Sequence, residues 1–168
     1  MKRFIIILIA VIATLSSNAQ NVNSQSKDLN AVVDSLSAKL EKLQHDFDFL
    51  QCKYDLQDIN NKLSSLGDNA SIYSNSTLIN TYHGGFYSQL YDAYRANYDS
   101  VVGAFESFKE SAKVIKSSVR LKMLFSSFTE QEKALLEQMM NTTNSAINKA
   151  EHSLKSFKIT IDMYKSLE

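Results

Sequence analysis

The sequence predicts an all-α fold, an antiparallel three-helix bundle of long, coiled-coil-like helices over about residues 27–66, 76–126 and 129–166. Three observations point to it. The chain of 168 residues has no Pro and only four Gly, so the turn chemistry that many strand reversals require is missing. Its large apolar residues recur at alternating steps of three and four, the 3.5-residue repeat of helices that lie along one another. The stretches that lack this repeat are short. With 44% hydrophobic content, the chain can build one core and is too short for two.

Residues 1–19 have the pattern of a secretory signal. Lys2 and Arg3 give a positive start, Phe4 to Leu15 is apolar, and Ser17-Asn18-Ala19 sets small residues where a signal peptidase cuts. The apolar run is shorter than the roughly 20 residues that cross a bilayer. Cleavage after Ala19 is therefore expected rather than a retained anchor, and no Cys directly follows the run to carry a lipid. The expected product is exported, periplasmic or secreted, and free of the membrane once the signal is removed. Residues 20–26, polar and rich in Asn, Ser and Gln, read as a flexible tail before a single domain over 27–168.

The first helix carries a strict heptad at Leu29, Val33, Leu36, Leu40, Leu43, Phe47, Leu50 and Tyr54. The stripe then moves to Leu56, Ile59, Leu63 and Leu66. Where the two overlap, one broadened apolar face is expected. Gly67 is placed to end the helix in a left-handed cap, with a polar connection over residues 68–76. The second helix has the longest unbroken seam: Tyr87, Tyr91, Tyr94, Tyr98, Val101, Phe105, Phe108, Ala112, Ile115 and Val119. Gly84-Gly85, costing about 2 kcal/mol in a helix interior, predicts a kink near its start. A second turn follows at residues 126–129, where Thr129 and Glu132 have capping-box spacing. The third helix repeats at Leu136, Met140, Thr143, Ile147, Ala150, Leu154, Phe157, Ile161 and Tyr164.

Little here suggests chemistry. Without Lys2 and Arg3, 16 of the 18 basic residues remain against 18 acidic ones, which offers no field for nucleic acid. Folding the helices back at the expected turns sets His45 opposite about Asn97, His83 opposite Ile59 and His152 opposite Val102, so the three histidines do not meet. No spacing suits zinc or a di-iron bundle, and no cofactor is expected. No nucleophile elbow or phosphate-cradling loop occurs, and a non-enzymatic protein is expected. Cys52, the only cysteine, lies on the apolar stripe and reads as a small buried hydrophobe, with a bridge between chains as the alternative. Lys109, Lys113, Lys116 and Arg120 form a basic strip that reads as a solvated, partly paired face.

The same folding gathers Phe47, Phe49, Tyr54, Tyr82, Phe86, Tyr87, Tyr91, Tyr94, Tyr98, Phe157 and Tyr164 at one end. The plain structural reading packs the rings inward with hydroxyls at the rim. The functional reading makes Tyr82, His83, Phe86, Tyr87, Tyr91 and Tyr94 a partner-binding surface, because Tyr makes large contacts at little entropic cost. The function expected is thus that of an exported helical interaction or adaptor protein, with a protein partner and possible self-association. Two alternatives stand beside it. One is a carrier or holdase that opens at the aromatic end for apolar cargo. The other, by analogy of architecture, is an accessory part of a secretion or conjugation apparatus.

Overall fold

The computed structural model describes residues 25–81 and 87–166. Among these residues the chain forms three helices and no strand: α1 (Gln25–Thr81), α2 (Tyr87–Phe125) and α3 (Glu130–Lys165). It divides into two compact units, one up to Gln44 and one from His45 onward. In the first, the described residues are the N-terminal stretch of α1. In the second, the helices pack as an antiparallel three-helix bundle. Asp48 pairs with Lys122 across α1 and α2, Lys109 with Glu151 across α2 and α3, and Asp68 with Lys149 across α1 and α3, so each helix meets both of the others.

The bundle core has two parts. Toward the α2–α3 turn, Cys52 and Leu56 meet Val119, Phe128, Leu136 and Met140. Farther along, Ile59, Leu63, Leu66 and Ala70 meet Phe105, Ala112, Ala146, Ala150 and Leu154. Cys52 is free and buried, and burial pushes its thiol up. The buried positions of α1 thus run Cys52, Leu56, Ile59, Leu63, Leu66 and Ala70, at heptad spacing.

α1 does not stop at Gly67. It continues through residues 68–76, expected as a connection, to Thr81. The reason lies in its partner. A Cβ on Gly67 would stand 3.3 Å from the Ala150 Cα, so the bare glycine lets two helix backbones come together. Ala70, Ser71 and Ser74 continue the small face of α1, and Ala146, Ser153 and Thr160 answer it on α3. Ser71 Oγ lies 3.0 Å from Ser153 Oγ, and Ser74 Oγ lies 3.0 Å from Thr160 Oγ1. Small polar residues that read as a turn are here the packing surface of a close helix pair, and that contact overrides their weak helix propensity.

With α1 extended, α2 begins at Tyr87 rather than near 76. Gly84-Gly85, the expected kink, lies outside the described residues, as do the expected signal and residues 20–24 of the tail. Gln25 and Ser26 are already helical. The α2–α3 turn sits where expected, and the capping box is formed. The Thr129 amide donates to the Glu132 carboxylate at 2.8 Å, and the Glu132 amide donates to Thr129 Oγ1 at 3.2 Å.

The capping box also holds α1. His45 lies with Nε2 3.2 Å from Glu132 and Nδ1 3.2 Å from Asp46, its ring edge-on to Phe128. The Asp46 hydrogen bond, helped by Glu132, raises the His45 pKa above its usual 6.5. The Thr129 backbone donor, followed by its hydroxyl and His45, draws Glu132 below 4.5.

Two expectations follow. Gly67→Leu should destabilise the bundle by about 1–3 kcal/mol through overpacking, whereas Gly103→Ala, with nothing within 4 Å of the new Cβ, should stabilise it by up to about 1 kcal/mol. Urea unfolding of both variants checks the contrast. A raised His45 pKa contributes stability that is present below 6.5 and lost as pH rises through the higher folded value. The difference in melting midpoint between about pH 5.5 and about pH 8.5 should therefore shrink toward zero slope from this group in His45→Gln.

Candidate helix-docking surface

The two heptads of α1 do not merge into one broad face. Leu50 and Cys52 are two positions apart, about 200° around the helix. Cys52 and its successors face the bundle core, and Phe47, Leu50 and Tyr54 face away from it. In the first unit Leu29, Leu36, Leu40 and Leu43 are exposed. In the second, Phe47 is 50%, Leu50 61% and Tyr54 69% exposed. Scattered apolar side chains are ordinary on a surface, but a row of them at constant spacing is not. Val33 alone in this row is half-buried.

Helix geometry gives the row two flanks. Val32, Lys39, Asp46 and Lys53 lie on one side, and Asn30, Ser37, Gln44 and Gln51 on the other. This is the make-up of a coiled-coil seam: aliphatic and aromatic knobs in the middle, charge and amide on the shoulders. No group of three or more metal-ligating side chains occurs among the described residues, and no described helix is long and apolar enough to cross a membrane.

Tyr82, His83 and Phe86 lie outside the described residues, and Tyr87 is the first residue of α2. Tyr91 and Tyr94 are half-buried, and Arg95 Nη1 donates to the Tyr91 hydroxyl at 3.1 Å. Behind them, Phe157 takes Tyr73 stacked at 5.7 Å and Tyr98 edge-on at 5.6 Å.

Phe47, Phe49 and Tyr54 do not join this end. Phe49 sits against Phe128 at 5.9 Å, near the α2–α3 turn, and His45 meets Glu132 rather than lying opposite Asn97. Both displacements share one cause. The first reversal comes after Thr81, later than expected, so from His45 on the residues of α1 meet more C-terminal parts of the chain. The basic strip is paired as expected of a solvated face, Lys109 with Glu151, Lys113 with Glu110 and Lys116 with Asn144.

Two further features border the bundle. An open groove of about 510 Å³ between α1 and α2 is lined by Leu66, Tyr73, Val101 and Phe108, with Lys62 and Asn69 at its rim. On α2, Val114, Leu121, Leu124 and Phe125 are exposed, Phe125 at 85%. The α2 stripe is shorter than the α1 row, and Ser117 and Ser118 interrupt it between Val114 and Leu121. No protein-family model, no curated protein and no solved structure matches the chain.

Proposed function

We propose that the protein is an exported, non-enzymatic helical adaptor, and that it docks a partner helix along the outward heptad of α1. The observation that carries this reading is the row Leu29–Tyr54, which keeps the 3.5-residue repeat of an interhelical seam while its side chains are exposed. Burying a Leu of this kind is worth about 1.5–3 kcal/mol, so a matching helix would gain from several at once. The signal-like start of the chain supports export. The docking role moves from the tyrosine-rich segment to α1, because Tyr91 and Tyr94 are already half-buried.

A carrier of apolar cargo is the second reading, and the α1–α2 groove is the one feature that favours it. Its open side suits a helix or chain segment better than an enclosed small molecule.

Photo-crosslinking residues placed at Leu36 and Leu43 in the native host should give discrete adducts. The same residue at Ser35 or Lys42, on the polar side of the helix, should give none. Equal yields from all four positions, or none from any, would refute the docking role.

A further inference from the structure

We infer that the occupant of the outward α1 row is the same row of a second copy, running antiparallel. This rests on the docking reading above and names its partner. The row spans Leu29 to Tyr54, between three and four heptads, the length at which a coiled coil becomes the expected use of such a pattern. Covering it takes a helix equally long with knobs at the same spacing. The seams of α2 and α3 are already used in the bundle core, where Phe105, Ala112 and Val119 of α2 and Leu136, Met140, Ala150 and Leu154 of α3 are buried, so neither neighbour's seam has such knobs to spare.

The row is complementary to itself about a point between Leu40 and Leu43. In the antiparallel pair Leu40 faces Leu43 of the second copy, Leu36 faces Phe47, Val33 faces Leu50 and Leu29 faces Tyr54. Each layer occurs twice, and each aromatic ring meets an aliphatic side chain. The parallel pair would instead set Phe47 on Phe47 and Tyr54 on Tyr54, two bulky rings in one layer of a two-stranded seam, where overpacking costs stability.

Charge points the same way. In the antiparallel pair Lys39 lies across from Asp46 of the second copy, and this happens twice about the twofold axis. Asp46 uses one oxygen toward His45 and is half exposed, at 52%, so it can still meet a lysine. In the parallel pair Lys39 and Asp46 would face Gln44 and Gln51, with no ion pair formed.

The test is the mass of the purified protein by sedimentation equilibrium over a wide concentration range. Two chains of 19.0 kDa each, less any cleaved signal, are expected. Leu40→Asp with Leu43→Asp should give one chain, with the bundle's melting transition retained because neither side chain is in the core. Lys39→Glu should weaken the dimer by about ten-fold, and Lys39→Glu with Asp46→Lys should restore it.

A single chain at every concentration overturns the proposal, as does a dimer indifferent to the Leu40 and Leu43 changes. A dimer that ignores the charge reversal, or is not rescued by the double change, overturns the antiparallel alignment. If the protein is a monomer yet still gives crosslinks from Leu36 and Leu43, the second copy is excluded and the docking role survives.

Discussion

The close approach of α1 and α3 at Gly67 and Ala150 is the contact on which the rest of the bundle depends. A Cβ at residue 67 would sit against main-chain atoms rather than against the end of a flexible side chain. Around it the interface is built from Ala, Ser and Thr. With α1 held against α3 there, helix continues well past the glycine, the first reversal moves to the far side of Thr81, and the levels of α2 against α1 are fixed. The pairing of Asp48 with Lys122 and the placing of Cys52 beside Val119 both follow from that shift.

The helical class and the later two-thirds of the seams were legible in the sequence because large apolar side chains at 3.5-residue spacing leave few other folds. The second turn was legible too, since Ser126 to Thr129 ends in a capping box whose hydrogen bonds need only four neighbouring residues. The first turn was not. Residues 67–76 have the composition of a loop, and what makes them helix is a small face on α3 some eighty positions away. Local propensity is a weak prior, and a long-range contact outweighed it.

The outward row of α1 was legible as a heptad but not as a surface. Leu29 to Tyr54 and Leu56 to Leu66 each have a helix-pairing pattern, and spacing alone does not say whether two overlapping patterns share a face. The step from Leu50 to Cys52 decides it, since two residues carry a side chain to the opposite side of the helix. One helix therefore has an inner row that makes the bundle and an outer row left for something else. The tyrosines show the converse: a sequence feature uncommon in bundle cores, of which Tyr98 and Tyr73 are accounted for by packing on Phe157.

The hydroxyl contacts between α1 and α3 have a consequence for uniqueness. Interfaces made of small side chains are smooth, and smooth helices can slide past one another by a turn at little steric expense. Here a slide would part Ser74 from Thr160 and Ser71 from Ser153, and the buried Ser74 hydroxyl would lose the partner it has on α3. The two bridges act as dowels: they add little adhesion, yet they leave the pair of helices a single way to sit.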